Sequence, residues 1–435
     1  MTTKKGANNF QCSILNSQFS IKKVKTIIIL GDGMADNPIK QLGGKTPLQY
    51  ANTPYMDLLA KNGRTGRLVT VPEGYSPGSE VANTAILGYD LDKVYEGRGP
   101  LEAASIGYDM DPMDMAIRCN IICVTSEGTI KTHNGGNLST EDAGPLIDLL
   151  NEKLGSDKVR FIRGIQYRHL LVIKGGSKYI VCNPPHDHPN EPWRELLVSP
   201  MADAPVEPGR MTAQETADLL NELILKSYEI LPKAPLNRKR AAEGKDLANI
   251  IWPWSGGYRP DMQTLMQQYP GVKSGAVVSA VDLIQGIGKY AGLDIIKVPG
   301  ATGLWDTDYE AKTRAALDNL KTKDFVFLHV EASDEAGHDG DVELKVKTIE
   351  NLDKRMIGPI YEETKTWDEP VCIAVLPDHY TPVEMRIHVG EPVPFIIYYK
   401  GIEPDEVQTY DEFTCVNGGY GILKLNEFME TLMGV

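Results

Sequence analysis

The chain has 435 residues, of which 42% are hydrophobic and 24% are charged, and its formal net charge is −14. This length exceeds one ordinary hydrophobic core, so we expect two domains or one domain with a large insertion. The composition is typical of a globular protein, and the acidic balance argues against a nucleic acid as partner. No apolar stretch approaches the roughly 20 residues that span a bilayer, so we expect no membrane segment.

The first residues, 1–23, contain lysines but no continuous apolar run, which argues against a secretory signal and predicts an irregular tail. The six cysteines form no CxxC pair and do not indicate a disulfide framework. We expect Cys119 and Cys123 to share one face of a strand and to lie in the core. These features favour the reducing cytoplasm as the compartment.

From Val24 onward, patterns typical of strands and helices alternate along the chain. "VKTIIILGDGMAD" predicts a buried strand that ends at Asp32, and "TPYMDLLAKNG" predicts a helix that begins near Thr53 and stops at Gly63. "EVANTAILGYD" predicts a short helix. The alternation resumes with "SGAVVSAV", "DLIQGIGKYAG", "LDIIKVPGATG", "DYEAKTRAALDNLKT", "FVFLHVEAS", "VELKVKTIENLDKRMIGPIYEETKT" and "EPVCIAVLPDH". This order predicts an α/β fold with a doubly wound, mostly parallel sheet.

The middle of the chain has a different pattern. Shorter strand patterns such as "MAIRCNIICV" and "RHLLVIKGG" accompany Pro-rich loops and one amphipathic helix in "TAQETADLLNELILKSYEIL". We therefore predict an inserted α+β domain at residues 113–270. It would lie between the two halves of a discontinuous core, residues 24–112 and 271–435.

Carboxylates and imidazoles follow three of the predicted core strands. They are Asp32 after the first strand, Asp334 and His338 in "DEAGH" after the second, and Asp378 and His379 in "LPDH" after the third, with His388 further on. Because parallel strands end at one edge of a sheet, these side chains could meet there. Each motif alone could be a turn or a solvated loop. Together their oxygen and nitrogen ligands suit two divalent ions such as Mn, Zn or Mg better than Ca.

A candidate nucleophile stands in "PEGYSPGSEVANTAILGYD". Ser79 follows a Pro-Gly turn and opens a predicted helix, whose N-terminus would favour a phosphoryl group. A metal ion could activate its hydroxyl without a histidine base. Ser79 could instead be an ordinary N-cap, and Ser76 and Thr84 are rival hydroxyls.

The motifs "LGDG", "GSEVAN", "DEAGH", "PDH" and a later His before "PVP" occur in the order that resembles the alkaline phosphatase superfamily. Within it, "YEGRGPLEAASIGYDM", "AIRCN", "VPGATG" and "HVEASDEAGHDGD" are similar to the archaeal-type 2,3-bisphosphoglycerate-independent phosphoglycerate mutases. The similarity runs from about Val24 to the C-terminus. It implies an alkaline phosphatase-like core and a glycolytic and gluconeogenic enzyme that interconverts 3- and 2-phosphoglycerate without 2,3-bisphosphoglycerate.

The resemblance also implies a site, residue by residue. One divalent ion would be bound by Asp334, His338 and His388, and the other by Asp32, Ser79, Asp378 and His379. Mn2+ is the expected ion, and Mg2+, Co2+ and Zn2+ are alternatives. Ser79 would take up the phosphoryl group as phosphoserine, and the inserted domain would close over the substrate and exclude water.

Arginine forks suit the carboxylate and the phosphate of phosphoglycerate. The candidates are Arg98, Arg118, Arg168 and Arg259, together with His133, which resembles a substrate-binding histidine of the bacterial mutases. Each arginine could instead form an ordinary ion pair.

Three other functions stay open at this point, and the sequence does not fix the oligomeric state. One is a related phosphotransferase of the kind proposed as a homoserine kinase, although no GxxxxGK[ST] loop is present. The others are a metal-dependent phosphatase or phosphodiesterase and a metal-stabilised binding protein without turnover.

Overall fold

The computed structural model describes residues 24–434, so Cys12 and the predicted tail at 1–23 lie outside the described residues. The strands of the described range follow one another as β1 (Lys25–Gly31), β2 (Arg64–Val69), β3 (Asp114–Val124), β4 (Ile130–Thr132), β5 (Val159–Ile165), β6 (Arg168–Lys174), β7 (Ile180–Val181), β8 (Ser199–Pro200), β9 (Ile250–Gly257), β10 (Gly275–Val278), β11 (Asp294–Ile296), β12 (Phe325–Val330), β13 (Val371–Leu376), β14 (Val393–Tyr398) and β15 (Ile422–Lys424).

The helices of the same range are α1 (Pro47–Tyr50), α2 (Pro54–Asn62), α3 (Ser79–Ile86), α4 (Leu91–Val94), α5 (Arg98–Ser105), α6 (Thr140–Leu154), α7 (Ala213–Ile230), α8 (Pro235–Ala242), α9 (Leu265–Gln268), α10 (Asp282–Tyr290), α11 (Tyr309–Thr322), α12 (Ala332–Asp339), α13 (Val342–Leu352), α14 (Gly358–Thr364) and α15 (Glu427–Met433). Short 3-10 turns and one π-helical turn join some of them. Among residues 24–434, no helix has the length and apolar character needed to cross a bilayer.

The larger sheet has eight strands in the order β11-β10-β12-β1-β13-β14-β2-β15. Strand β1 is central and runs parallel to both of its neighbours, β12 and β13. Only β14 runs antiparallel to the strands beside it, β13 and β2. The α/β fold with a mostly parallel sheet is therefore confirmed. The carboxyl ends of β12, β1 and β13 lie side by side at one edge.

Both faces of the larger sheet are covered. Along β1, Ile27 and Ile29 pack into one apolar cluster, whereas Ile28 and Leu30 pack into another on the opposite face. Burial on both faces explains why the central strands are continuous apolar runs without alternation. This packing fixes the strand ends rigidly, which is what a site built at the sheet edge requires.

The smaller sheet has β3 at its centre, with β6 and then β5 on one side and β9 and β4 on the other. All five strands fall within residues 113–270, but the division into two domains stays a prediction. Cys119 and Cys123 are buried in β3, as expected. Three helices of this region, α6, α8 and α9, were not predicted: α8 and α9 are short, and α6 contains Pro145 in its interior, a residue that usually argues against a helix.

Two local details differ from the sequence expectations. The long helical pattern at residues 342–364 is interrupted by a π-helical turn at Asp353–Ile357, just before Pro359, which lacks a backbone N–H. Thr53 occupies the N-cap position of α2, but its side chain caps nothing. Instead the carboxylate of Asp353 accepts hydrogen bonds from the backbone N–H groups of Tyr55 and Met56. A distant residue therefore supplies the cap.

Candidate functional site

The carboxyl edge of the larger sheet brings the predicted ligands together. The polar composition of "DEAGH" suggested a loop. The segment instead lies in helix α12, which begins directly after β12. Asp334 and His338 are four residues apart in this helix, so they lie on one face, one turn apart. His388 reaches the same place from the loop between β13 and β14, and its Nε2 lies 3.3 Å from Asp334 Oδ1.

Ser79 lies at this edge as the first residue of α3. The N-cap position belongs to Gly78, and the Ser79 side chain makes no capping bond. Its Oγ lies 3.3 Å from His379 Nε2 instead. Of the rival hydroxyls, Thr84 Oγ1 donates a hydrogen bond to Glu80 O within the same helix at 2.6 Å. The hydroxyl next to the ligand cluster is therefore that of Ser79.

The tautomer of His379 follows from its neighbours. Thr381 Oγ1 donates its hydrogen to Asp334 Oδ1, so it accepts the N–H of His379 Nδ1 at 3.2 Å. The lone pair of His379 Nε2 then points towards Ser79 Oγ and towards Asp32 Oδ1, which lies at 3.5 Å. An imidazole nitrogen, a carboxylate oxygen and a serine oxygen thus converge in the geometry of a metal site.

The carboxylate of Asp378 is held firmly beside this group. Its Oδ1 accepts hydrogen bonds from the backbone N–H groups of Gly33 and His379, at 3.0 and 2.9 Å. Its Oδ2 accepts one from Asn83 Nδ2 at 2.9 Å and lies 3.5 Å from His379 Nε2. Asn83 also donates to Ser79 O, so it links the serine to the carboxylate.

The second group consists of Asp334, His338 and His388. His338 Nε2 lies 3.3 Å from Asp334 Oδ2, and it lies 2.8 Å from His388 Nε2. Two imidazole nitrogens at this distance repel each other unless a proton or a metal ion lies between them. The combination of one carboxylate and two imidazoles matches the ligand preference of Mn, Zn or Co.

The electrostatics of the cluster also call for positive charge. Burial, together with the carboxylates of Asp378 and Asp334, raises the pKa of Asp32 well above its usual range. Burial would also raise the pKa of Asp334, but hydrogen bonds from His338 and His388 outweigh it and lower that pKa well below its usual range. The hydrogen bond to Asp334 raises the pKa of His338 to about 9. Divalent ions would let these carboxylates stay ionised with neutral imidazoles.

The residues therefore fit a metal centre. Four groups among the described residues have their ligand atoms within 4.8 Å of one another, and two of them consist of predicted ligands, namely Asp334, His338 and His388, and Asp32, Asp334 and His379. Asp32 Oδ1 is buried without a hydrogen-bond partner among residues 24–434, as expected for an atom that binds a cation. All seven predicted ligand residues lie at this edge, and their roles as ligands stay a prediction. Sequence reasoning did not assign His329, which lies 2.9 Å from Asp32 and whose only signal was an imidazole inside an apolar strand.

A cavity of about 220 Å3 opens beside the cluster. Ser79, Asp334, His338 and His388 line it, and so do the predicted substrate residues Arg98, Arg118 and Arg168. It therefore joins the carboxyl edge of the larger sheet to the smaller sheet.

The three arginines of the cavity differ in how far they are already paired. Arg98 makes a two-pronged ion pair with Glu80, at 2.9 and 3.2 Å. Arg118 Nε lies 3.3 Å from Glu102 Oε1 without hydrogen-bond geometry, and Arg168 Nε has no hydrogen-bond partner in the described range. Both prongs of Arg98 are therefore occupied by Glu80, whereas Arg118 forms only a looser ion pair with Glu102 and the Nε of Arg168 keeps a donor for an anionic ligand.

The other two predicted substrate residues do not line this cavity. His133 stacks edge-on against Tyr167 and His186, and the charge of Arg118 contributes to the lowering of its pKa after burial, the larger cause. Arg259 lies 3.4 Å from Asp109 and is half exposed. His133 therefore lies outside the lining of the cavity, and Arg259 forms an ion pair at the surface.

His388 provides a selective test of the metal centre. We expect His388→Ala to bind one ion fewer per chain than the wild type, because Asp334 and His338 alone leave that group with two ligands. Mn2+ bound after dialysis can be counted by atomic emission. The matched control is His188→Ala, since His188 pairs with Glu191 instead. An unchanged ion count in His388→Ala would contradict the assignment.

A buried ammonium group lies beneath the cluster. Lys345 is fully buried, and its Nζ donates to Asp36 Oδ2 at 2.8 Å, to Thr381 O at 2.7 Å and to Ala35 O at 3.2 Å. Ala35 and Asp36 belong to the loop after β1, and Thr381 belongs to the loop after β13. Lys345 therefore ties together the two loops that carry Asp32 and His379.

Glu412 lies next to this network. The pKa of its carboxyl group predicts that the stability of the fold depends on pH. It accepts hydrogen bonds from Asp36 N and Thr46 Oγ1, and burial raises its pKa from 4.5 to about 7. The folded state thus holds a proton that the unfolded state releases, so this contribution is fully present below pH 4.5 and is lost as the pH rises through about 7.

We expect Glu412→Gln to remove this dependence. When the pH is raised from 5 to 8, the unfolding free energy of the wild type should fall by on the order of 2 kcal/mol more than that of the variant. Urea unfolding at the two pH values measures this change, and Glu403→Gln at an exposed position serves as the control. A difference that does not vary with pH would show that Glu412 is ionised throughout.

The fold and the site together define a class of α/β proteins in which the carboxyl edge of a doubly wound sheet gathers metal-type ligands around a helix-opening serine. A curated 2,3-bisphosphoglycerate-independent phosphoglycerate mutase from Methanosarcina acetivorans is 45% identical over 414 residues, which cover 95% of this chain and 100% of that protein. The chain belongs to the family of 2,3-bisphosphoglycerate-independent phosphoglycerate mutases. The family model with that description matches residues 60–237.

Solved structures agree with this placement. A protein from Pyrococcus horikoshii is 32% identical with a TM-score of 0.78, and the match covers 95% of this chain and 98% of that one. The cofactor-independent phosphoglycerate mutase from Thermoplasma acidophilum is 26% identical with a TM-score of 0.65, and the match covers 94% of this chain and 99% of that one.

Proposed function

We propose that this chain is an isomerase that interconverts 3-phosphoglycerate and 2-phosphoglycerate without 2,3-bisphosphoglycerate, with Ser79 as the phosphoryl carrier. The observation that carries the proposal is the position of Ser79 Oγ. It lies 3.3 Å from His379 Nε2, and Ser79 lines a cavity that is also lined by arginines. A phosphoryl group between them would meet a nucleophile and cationic side chains together.

The chain's own residues account for the transfer. Ser79 Oγ forms a bond to phosphorus while the bond from phosphorus to the 3-oxygen of the substrate breaks. The glycerate then turns within the cavity, and its 2-hydroxyl takes the phosphoryl group from Ser79. In the first transfer the proton of Ser79 ends on the released 3-oxygen, and in the second the proton of the 2-hydroxyl returns to Ser79 Oγ, so no water or electron is consumed. Divalent ions, when bound, would neutralise the phosphoryl oxygens and favour the serine alkoxide.

The finer features of the metal centre also belong to the proposal. Asp334, His338 and His388 would hold one ion, and Asp32, Ser79, Asp378 and His379 would hold the other. Mn2+ suits the mixture of carboxylates and imidazoles, and Mg2+, Co2+ or Zn2+ would fit with different strength. We place the enzyme in the cytoplasm, with the region at 113–270 as the domain that closes over the substrate.

The cavity supports a small anionic substrate. Its volume, about 220 Å3, is below the roughly 300–1,000 Å3 of typical drug-sized ligand sites. A ligand as small as phosphoglycerate is compatible with this volume. Arg168, together with Arg118 beside its ion pair with Glu102, would bind the carboxylate of the glycerate.

We expect Arg168→Ala to lower kcat/KM for 3-phosphoglycerate by about 10- to 100-fold, since a charge-assisted hydrogen bond to the substrate is worth roughly 1.5–3 kcal/mol. Steady-state kinetics at saturating Mn2+ measures the change. The paired control is Arg259→Ala, which removes an ion pair with Asp109 and a hydrogen bond to Met110 O outside the cavity and should stay within about twofold of the wild type. Equal losses in the two variants would contradict the role of Arg168.

The function itself is tested by incubating the purified protein with 3-phosphoglycerate and Mn2+, without nucleotide or 2,3-bisphosphoglycerate, and following 2-phosphoglycerate by 31P NMR. We expect conversion that a chelator abolishes and added Mn2+ restores. Release of free phosphate faster than 2-phosphoglycerate would favour a phosphatase. No conversion, together with ATP-dependent phosphorylation of homoserine, would favour the related kinase.

A further inference from the structure

His329 is an unusual residue for its position. It is the fifth residue of β12 in the run "FVFLHV", and its side chain is fully buried at 0% exposure. Strand β12 lies between β10 and β1, and His329 stands opposite Leu30 in the parallel register with β1. A buried imidazole is costly unless both of its nitrogens are hydrogen-bonded. The two hydrogen-bond partners of His329 therefore indicate its role.

Both nitrogens of His329 have partners on the neighbouring strands' ends. Nε2 lies 2.9 Å from Asp32 Oδ2, after β1, and Nδ1 lies 3.3 Å from Ser279 Oγ, after β10. Ser279 Oγ already accepts the backbone N–H of Val281 at 3.0 Å, so its own hydrogen is free to be donated to Nδ1. Nδ1 is then an acceptor and Nε2 carries the proton that Asp32 accepts.

The result is a chain of hydrogen bonds, Ser279–His329–Asp32, that crosses three adjacent strand ends in one direction. It satisfies Asp32 Oδ2 and leaves Asp32 Oδ1 buried without a hydrogen-bond partner, 3.5 Å from His379 Nε2. One oxygen of Asp32 is thus held by the protein, and the other faces Ser79 and His379.

We propose that His329, oriented by Ser279, is a positioning residue that fixes Asp32 as a one-oxygen ligand towards the ion beside Ser79. The inference deepens the proposed function and rests on its metal centre. A neutral N–H donor on Oδ2 prevents both oxygens of Asp32 from binding the same ion. It also keeps the Asp32 carboxylate from rotating. Residues that orient a metal ligand in this way typically contribute 10- to 100-fold to metal affinity. His329 itself would touch neither the ion nor the substrate.

The alternative is that His329 binds an ion directly, since its Nε2 lies within 4.8 Å of oxygens of Asp32 and Asp378. Two variants separate the alternatives. His329→Gln keeps an N–H that can reach Asp32 but replaces the imidazole, whereas His329→Leu fills the space and removes the donor. A positioning role requires only the N–H, so Gln should rescue what Leu loses.

The experiment is calorimetric titration of the metal-free full chain with Mn2+. We expect His329→Leu to weaken one binding step by 10- to 100-fold and to leave the other within about threefold. His329→Gln should remain within about fivefold of the wild type at both steps. Unchanged affinity in His329→Leu, or a loss in His329→Gln as large as that in His329→Leu, would overturn the proposal.

Ser279→Ala keeps the proposal testable if His329→Leu does not fold. This substitution removes the hydroxyl that bonds to His329 Nδ1, so it allows the tautomer that carries its proton on Nδ1. The Mn2+-binding step that His329→Leu weakens should then be about 3- to 10-fold weaker in Ser279→Ala. The matched control is Ser227→Ala in helix α7, which packs against β9 of the smaller sheet. Ser227 is a buried serine whose Oγ also accepts a backbone N–H, from Ile251, and donates to Ile224 O. Equal Mn2+ affinities in Ser279→Ala and Ser227→Ala would contradict the role of the Ser279–His329–Asp32 hydrogen bonds.

The wild-type preparation is assayed with 3-phosphoglycerate in parallel with the titration. Metal binding without conversion would reject the proposed mutase function, whereas the affinities of the His329 and Ser279 variants decide the positioning role in either case. The two failures are therefore distinguishable.

Discussion

Replacing Ser79 by alanine is expected to lower the rate of conversion of 3-phosphoglycerate by at least about 10^4-fold, because the phosphoryl group would lose its acceptor. The fold should survive, since Ser79 caps no helix and its Oγ contacts only His379 in the described structure. The unfolding free energy should change by less than about 1 kcal/mol. A coupled assay that consumes 2-phosphoglycerate measures the rate, and circular dichroism measures the stability.

Two further hydroxyls on the same segment serve as controls. Thr84→Ala removes a hydroxyl that bonds only to its own helix, and Ser76→Ala removes the rival serine before the Pro-Gly turn. Both variants should keep activity within about tenfold of the wild type. Full activity in Ser79→Ala combined with its loss in Ser76→Ala would move the nucleophile to Ser76.

The largest effect on stability is expected for Lys345→Met. Its ammonium group is fully buried, and its loss would leave the carboxylate of Asp36 without its counter-ion in the interior. Breaking a buried ion pair in this way typically costs about 3–5 kcal/mol. The burial that lowers the pKa of Lys345 is opposed chiefly by Asp36, so the two charges depend on each other. Urea unfolding, read as a shift in midpoint, measures the loss.

Two comparisons isolate the cause of that loss. Adding Asp36→Asn to Lys345→Met should recover part of the stability, because the buried charge is then removed. The surface variant Lys365→Met, which breaks an exposed pair with Glu362, should cost less than about 1 kcal/mol. A loss in Lys345→Met no larger than that in Lys365→Met would contradict the role of Lys345 as the link between the two loops.

The core strands and their ends were predictable because both depend on local pattern. An apolar run such as "TIIIL" followed by Asp32 indicates a buried strand and a polar edge, and parallel topology then brings separate edges together. The family followed from the order of several motifs. Neither inference required knowledge of how the strands pair in detail.

What the sequence did not predict depends on contacts between distant residues. The register of β12 on β1 places His329 beside Asp32, and nothing in the run "FVFLHV" indicates that partner. Glu80 occupies the fork of Arg98, so an arginine that looked available is already paired. Asp353 caps α2 in place of Thr53 from almost 300 residues away, as the backbone bonds to Tyr55 and Met56 show.

The same limit applies to "DEAGH". Its polar residues suggested a loop, but the segment is a short helix in which Gly337 lies against the backbone of Thr381 with no room for a side chain. That close contact brings Asp334 to the hydroxyl of Thr381 and hence to His379. Tertiary packing at the site therefore decided the local conformation, against the preference of the isolated sequence.

The central claim is that Ser79 carries the phosphoryl group between the two oxygens of glycerate. The most direct measurement is mass spectrometry of peptides from enzyme quenched during turnover of 3-phosphoglycerate with Mn2+. We predict one phosphoryl group on Ser79 that disappears when a chelator is added before the substrate. Steady conversion with no phosphorylated Ser79 at any time, or with the phosphoryl group on another residue, would contradict the account.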